Sequence, residues 1–212
     1  LRAVARGEIE IIKLLVSKGA DVNARDKNGA TPLMIESRFG KEGNQRQRNE
    51  KIEILKLLVS KGADINAMNK DGETALLQAS FDRGNDTSLG KIETVKTLIS
   101  LGANLDAQNA NGITPLMASI LRGHKEIARL LVEKGANVNI KDANGDSAIN
   151  SAIVMGYKDI VQLLISKGAD VNARNKDGTT ALMIASANER TDESIIQLLL
   201  SNGADVNAED SE

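Results

Sequence analysis

The chain of 212 residues contains no cysteine and no tryptophan, and it has only two prolines, one histidine and 1% aromatic residues. The absence of cysteine excludes disulfides, thiolate metal sites and thiol catalysis. No apolar run approaches the ~18 residues that a membrane-spanning helix needs. Basic and acidic side chains are nearly balanced, 27 against 29, which gives no support for a nucleic-acid or anionic-membrane footprint. With 41% hydrophobic residues, the composition is that of a folded protein.

One phrase, Gly-Ala-Asp-Val-Asn or a close variant, occurs six times along the chain. Its copies begin at Gly19, Gly62, Gly102, Gly135, Gly168 and Gly203, at steps of 33 to 43 residues. The third copy differs most, because it reads Gly-Ala-Asn-Leu-Asp. A period near 33 residues predicts a stacked repeat protein, and such proteins usually present an extended surface to a partner.

Each repeat unit follows the same order of turn, first helix and second helix. Asn-Gly or Asp-Gly pairs such as Asn28-Gly29 predict tight hairpin turns, because both residues tolerate positive φ. A hydroxyl residue twelve positions after the phrase glycine predicts a helix N-cap, and the five are Thr31, Thr74, Thr114, Ser147 and Thr180. Residues 115–122 and 125–134 illustrate the two helices, the second amphipathic and ended by the next phrase glycine.

The phrases Asp26-Lys-Asn-Gly-Ala-Thr-Pro-Leu33 and Gly19-Ala-Asp-Val-Asn-Ala24, with two helices between successive copies, resemble the ankyrin repeat. The resemblance covers essentially the whole chain. It implies an all-α solenoid of stacked helix-turn-helix repeats with projecting β-hairpin loops. It also implies a non-enzymatic protein–protein interaction scaffold that binds its partner through a concave surface of hairpins and first helices.

The repeat boundaries predict a single domain over residues 1–212. It comprises a partial repeat 1–24, full repeats 25–67, 68–107, 108–140, 141–173 and 174–208, and a short acidic tail 209–212. Because the chain starts within a repeat and without Met, we interpret it as a fragment or processed form, so the compartment stays open with the cytoplasm as default.

Departures from the repeat pattern lie on the helix side of the units. The extra length falls within 41–51 and 82–91, both polar, and the first insertion could extend the following helix back to Gln45. These insertions are either tolerated surface length or a second contact surface. Glu36 stands where the other units have a small residue, and we expect it to reach solvent or a nearby cation such as Arg38.

No arrangement of residues predicts catalysis or a cofactor. The single histidine, His124, has no serine and carboxylate partner in a recognisable order, and no phosphate-binding glycine loop is present. The Asp26 turn lacks the acidic first ligand and the twelfth-position Glu of a calcium loop. We therefore predict no enzyme, no catalytic residue, no metal site and no cofactor.

The resemblance places partner contacts at the hairpin tips and on the exposed side of the first helices. The residues predicted to contact a partner protein are Arg38, Phe39, Phe81, Ile113, Leu121, Val154 and Met155. The alternative, that the apolar ones only pack between helices, stays open. So do two other functions, an inhibitor or immunity protein that blocks an enzyme, and an accessory domain of a larger protein. We expect a monomer with a protein partner, without nucleic acid and without membrane insertion.

Overall fold

The computed structural model describes residues 1–38, 44–81, 89–189 and 191–210, and within these ranges the regular structure is entirely α-helical. Two compact units divide the chain, Leu1–Ala110 and Asn111–Glu212. The first unit contains α1 Arg2–Arg6, α2 Ile9–Ser17, α3 Pro32–Arg38, α4 Gln45–Ser60, α5 Ala75–Phe81 and α6 Leu89–Ser100. The second contains α7 Pro115–Leu121, α8 Lys125–Glu133, α9 Ala148–Val154, α10 Lys158–Ser166, α11 Ala181–Ala187 and α12 Glu193–Ser201.

Within each unit, helices of the same kind pack on one another. In the first unit the first helices α1, α3 and α5 pack in succession, as do the second helices α2, α4 and α6. In the second unit the same holds for α7, α9 and α11 and for α8, α10 and α12. Each helix pair therefore buries its apolar faces against its neighbours, which is the packing expected of a repeat array.

The predicted N-caps fix where the first helices begin. The hydroxyls of Thr31, Thr74, Thr114 and Thr180 accept hydrogen bonds from the amides three residues later, at 3.2–3.3 Å. In the fourth repeat the Ser147 hydroxyl instead donates to Asn150 Oδ1 at 3.2 Å. Because the threonine caps satisfy amides at the helix start, the apolar residues that follow them enter the core in the same register in these four repeats.

The hairpins are closed by one aspartate or asparagine rather than by paired strands. At the first, Asp26 Oδ1 accepts the amides of Asn28 and Ala30, both at 2.8 Å, and the Asp26 amide donates to the Ala30 carbonyl at 3.0 Å. Gly29 has φ 79°, whereas no non-glycine residue of the described chain has positive φ. Of each Asn-Gly or Asp-Gly pair, only the glycine adopts positive φ, so a turn followed by one left-handed glycine closes the predicted hairpin.

Neighbouring hairpins are joined through their backbones. In the first unit the Lys70 amide donates to the Asn28 carbonyl at 3.0 Å. In the second unit the Ala143 and Lys176 amides donate to the carbonyls of Asn111 and Asn144, both at 2.9 Å. A Cβ at Gly112 would lie 2.7 Å from the Ala143 amide nitrogen. The hairpin glycine is thus required by its φ and by the approach of the next hairpin.

The asparagine that ends the phrase makes a second link between neighbouring repeats. In the second unit Asn139 Nδ2 donates to the Gly168 carbonyl at 2.9 Å, while Asn139 Oδ1 accepts the Asp170 amide at 2.9 Å. Asn172 makes the same pair of bonds to Gly203 and Asp205, both at 2.8 Å. We call this two-bond link the asparagine clasp.

The first insertion lengthens a helix, as predicted. Helix α4 has 16 residues and begins with a capping box. The Gln47 amide donates to Asn44 Oδ1, and the Asn44 amide donates to Gln47 Oε1, both at 3.0 Å. Its first turns are held by pairs on their own helix, such as Arg46 with Glu50 at 2.7 Å. Residues 41–43 and 82–88 of the two insertions lie outside the described residues.

Two glycine substitutions in the second unit separate backbone strain from the hairpin contact. Gly112→Ala places a Cβ against the next hairpin, whereas Gly135→Ala meets no atom within 4 Å, although both glycines have positive φ. We expect Gly135→Ala to reduce the free energy of unfolding by about 1 kcal/mol and Gly112→Ala by about 3 kcal/mol. Urea unfolding followed by circular dichroism measures both. Equal losses would show that the hairpin approach adds nothing to the cost.

Candidate partner-binding surface

In the second unit, three successive first helices end in an exposed small or apolar residue. These residues are Leu121, Val154 and Ala187, at matching positions of α7, α9 and α11. Every other residue of α7 is buried, so Leu121 is the point at which that helix meets solvent. Met155, the C-cap of α9, follows Val154 and is half-buried. We call Leu121, Val154 and Met155 the apolar ledge.

The backbone beneath the ledge is held by a side chain from the next repeat. Asn188, the C-cap of α11, donates from Nδ2 to the carbonyls of Ile153 and Val154, both at 3.1 Å. These are the last carbonyls of α9, which lie beyond its internal hydrogen-bond ladder, and the Ile153 carbonyl also accepts the Gly156 amide at 2.9 Å. The ledge is therefore built on a fixed helix end, and the exposure of Val154 does not come from fraying.

A polar cluster lies at the base of the hairpins of the same unit. Asp146 Oδ1 accepts the side-chain amides of Asn150 at 3.0 Å and Asn175 at 3.2 Å. Burial raises the pKa of Asp146, and the hydrogen bonds from Asn175 and Asn150 oppose that rise. The sequence carries no local signal for this cluster, because Asn175 belongs to a different repeat. Ile113, half-buried, occupies the position of Asp146 in the preceding hairpin.

In the first unit, the predicted contact residues occupy the same helix positions. Arg38 ends α3 and is exposed, and Phe81 ends α5 and is half-buried. Phe39 lies outside the described residues. The exposed apolar character predicted for first-helix ends is thus clearest at Leu121 and Val154.

Several basic residues near the hairpin tips make hydrogen bonds within the repeat array. Lys141 Nζ donates to the Arg174 carbonyl at 2.8 Å, and the Arg174 guanidinium donates to the carbonyls of Gly178 and Glu209. In the first unit the Arg25 guanidinium donates to the Gly29 carbonyl at 3.2 Å and to the Met68 carbonyl at 2.6 Å. These side chains therefore support the hairpins, in addition to any contact with a partner.

Glu36 is a buried carboxyl on the first helix α3. Glu36 is 8% exposed, and burial raises the pKa of its carboxyl to about 7. The positive charge of Lys51 opposes that rise. The expected cation, Arg38, is therefore not the group that acts on Glu36. Lys51 stands eleven residues before its phrase glycine, at the position of His124 in repeat 108–140. This equivalence is the sequence signal that could have identified Lys51 as the cation that acts on Glu36.

The described residues contain no group of three or more His, Cys, Asp or Glu side chains that could hold a metal ion. Among the described helices, none has both the length and the apolar character needed to cross a membrane. His124 is buried at the N-cap of α8. The second unit therefore carries exposed apolar side chains at its first-helix ends and half-buried polar groups at its hairpins.

Replacing Glu36 should change how stability depends on pH. The folded state holds the carboxyl proton to a pH of about 7, whereas the ordinary value is 4.5. Between these values the folded state binds more protons, so the free energy of unfolding falls as pH rises. In Glu36→Gln the free energy of unfolding should no longer fall over this pH range. At neutral pH it should therefore have risen, relative to that of the parent, by up to about 3 kcal/mol.

Urea unfolding of both proteins at several pH values measures this difference. Glu36→Ala removes the same carboxyl, so its profile should flatten in the same way despite a different intrinsic stability. Parallel profiles for the parent and both variants would contradict the assignment.

Comparison with known proteins identifies the repeat family. Models of ankyrin repeats match residues 1–89, 45–140, 84–175 and 151–200. The chain is also similar to a crystal structure of an ankyrin repeat domain from Acinetobacter baumannii AYE, at 32% sequence identity and a TM-score of 0.79. That similarity covers 96% of this chain and 97% of the other. Among proteins of curated function, none matches the chain.

The helix pairs, the glycine-closed hairpins, the matched repeat models and the similar solved domain all agree. The predicted all-α solenoid of stacked helix-turn-helix repeats is confirmed. The chain belongs to the ankyrin repeat family.

Proposed function

We propose that this chain is a non-enzymatic scaffold that binds a partner protein through its hairpins and first helices, with the apolar ledge of the second unit as an anchor. Ankyrin repeats are generally modules of protein–protein interaction. The proposal adds the surface and the chemistry by which this chain acts.

The exposure of Leu121 and Val154 is the observation that supports the proposal most directly. Both residues end helices whose other apolar side chains are buried. A single exposed apolar residue is common on protein surfaces. Two at the same position of adjacent helices, with the Val154 helix end held by Asn188, give a preformed apolar site that loses little conformational entropy on binding.

The partner should contribute apolar side chains to the ledge. Apolar contacts near the centre of an interface commonly dominate its binding energy, while polar groups around them exclude water and fix orientation. The half-buried Asp146 already accepts two amide hydrogen bonds. It therefore suits an orienting role at the edge of the interface more than a central ion pair.

A bait comparison tests the proposal. The parent chain and the double variant Leu121→Ser/Val154→Ser are used in parallel affinity captures, and proteins retained only by the parent are identified by mass spectrometry. Isothermal titration calorimetry with an identified partner should show at least a tenfold weaker affinity for the variant, about 1.4 kcal/mol. The variant's melting temperature should stay close to the parent's, because both side chains are exposed.

Leu89→Ser is the matched control, since Leu89 is an exposed apolar residue at the start of the second helix α6. Its affinity for the partner should equal that of the parent. Unchanged affinity of the Leu121/Val154 variant, or an equal loss in the Leu89 variant, would refute the ledge as the binding site.

A further inference from the structure

Three of the hairpin turns contain the pair Asn-Gly, in which the asparagine side chain can deamidate without an enzyme. The pairs are Asn28-Gly29, Asn111-Gly112 and Asn144-Gly145. In this reaction the backbone nitrogen of the glycine, unhindered because glycine has no Cβ, attacks the asparagine Cγ. The new N–Cγ bond closes a cyclic imide, and the side-chain nitrogen leaves as ammonia. Water then opens the imide to aspartate or to isoaspartate, whose main chain runs through Cγ.

The carbon that would be attacked is accessible in two of these turns. Asn28 and Asn144 are exposed, and within the described residues their side-chain amides make no hydrogen bond. Asn202, in a further Asn-Gly pair at the C-cap of α12, differs because its Nδ2 donates to the Leu198 carbonyl at 2.8 Å. The side chain therefore does not limit the reaction at Asn28 and Asn144.

The attacking nitrogens, in contrast, are held by the turns. The Gly29 amide donates to the Asp26 carbonyl at 2.9 Å, and the Gly145 amide donates to the Asp142 carbonyl at 3.0 Å. The cyclic imide forms only when this amide loses its proton, and a hydrogen bond to a carbonyl stabilises the protonated form. The nucleophile is therefore withheld while the turn is closed.

The next hairpin holds the other end of the same peptide group. The Asn28 carbonyl accepts the Lys70 amide at 3.0 Å, and the Asn144 carbonyl accepts the Lys176 amide at 2.9 Å. The peptide group between asparagine and glycine is thus bonded through both its N–H and its C=O. Because this group is planar, it must rotate as a whole to bring its nitrogen to Cγ. That rotation breaks the bond within the turn and the bond between the hairpins.

One carboxylate organises each of these two turns. Asp142 Oδ1 accepts the amides of Asn144 at 2.8 Å and Asp146 at 3.0 Å. Asp26 Oδ1 accepts the corresponding amides of the first hairpin. Both aspartates lie outside the Asn-Gly pair, so a carboxylate that closes the turn can be removed without changing the reactive sequence.

The two products have different consequences for the fold. Aspartate fits the turn, because Asp71 and Asp177 stand at the same position of two other hairpins. There the glycine amides donate to the carbonyls of Asn69 and Asn175, both at 3.1 Å. Isoaspartate lengthens the main chain by one carbon and turns the carbonyl that accepts the next hairpin's amide into a free carboxylate. It therefore breaks the register between neighbouring hairpins.

We propose that Asn28 and Asn144 are sites of spontaneous covalent modification that the packing of the hairpins keeps inactive. In the closed array they persist as asparagine. When a hairpin opens they deamidate, and the isoaspartate that forms prevents the same hairpin from closing again. Asn111 belongs to the same class, because its carbonyl accepts the Ala143 amide at 2.9 Å. A transient loss of repeat packing is thereby made permanent.

Incubation of the parent chain in neutral buffer, folded in one sample and unfolded in guanidinium chloride in another, tests the proposal. Digestion and chromatography at mildly acidic pH limit further reaction, and mass spectrometry then measures aspartate and isoaspartate at each Asn-Gly pair. Deamidation of Asn28, Asn111 and Asn144 should be at least about tenfold slower in the folded chain. Equal rates in the two samples would overturn the proposal.

Asp142→Ala makes the test specific to one turn. It removes two hydrogen bonds from the turn but keeps the reactive pair, so deamidation of Asn144 in the folded chain should become about tenfold faster. The rates at Asn28 and Asn202 in the same sample should stay at the values of the parent. Asp26→Ala is the matched variant of the first unit and should accelerate Asn28 but not Asn144. In guanidinium chloride both variants should react at the rate of the parent.

These readouts separate the opening of one turn from general unfolding. Equal acceleration at Asn28 and Asn144 in Asp142→Ala would show that the bonds of each turn do not control the rate, and would overturn the proposal. An unchanged rate at Asn144, with the helical circular dichroism retained, would do the same. If Asp142→Ala does not fold, Asp26→Ala supplies the test.

The consequence for the fold has its own control. Asn144→Asp should keep the helical circular dichroism of the parent, because two hairpins already carry aspartate at this position. Parent chain aged in guanidinium chloride and then refolded should recover less helical signal as its isoaspartate content increases. Full recovery by a chain rich in isoaspartate would contradict the proposed block to closure.

Discussion

The close approach of adjacent hairpin backbones is the constraint on which the rest of each unit depends. An amide of one hairpin binds a carbonyl of its neighbour at about 2.9 Å, and only a glycine at the turn leaves space for it. Because this bond fixes the register of successive hairpins, the hydroxyl caps that follow them start the first helices at equivalent points. The stacking of the helices is therefore set from the hairpin side of each repeat.

The opposite side of the repeat, where the first helix leads to the second, is under no such constraint. The sixteen-residue α4 stands beside second helices of nine to twelve residues in the same unit without interrupting the packing of α2, α4 and α6. The first helices show the same division along their length. In α3, α7 and α9 the early residues are buried beside the hairpins, whereas the last residues, Arg38, Leu121 and Val154, reach solvent. Variation among repeats can accumulate there at little cost in stability.

Much of the fold could be predicted because its signals are local. A helix cap, a turn glycine and an amphipathic helix are each encoded by a few neighbouring residues. The order of the repeats, the positions of the helices and the backward extension of α4 could therefore be predicted from the sequence. Contacts between repeats were harder to predict from the sequence. The hydrogen bonds of Asn175 to Asp146 and of Lys141 to the Arg174 carbonyl join residues of different repeats, 29 and 33 positions apart. No single repeat carries information about which neighbour it will meet.

The asparagine clasp recognises only a backbone carbonyl and a backbone amide. A bond of this kind is indifferent to the identity of the repeat that supplies those groups. The clasp can therefore accept a duplicated, deleted or exchanged repeat as readily as the original one. The order of the repeats along the chain must therefore depend on the apolar side chains that pack between neighbouring helices. A gene of this type can change its number of repeats without first evolving a new connection.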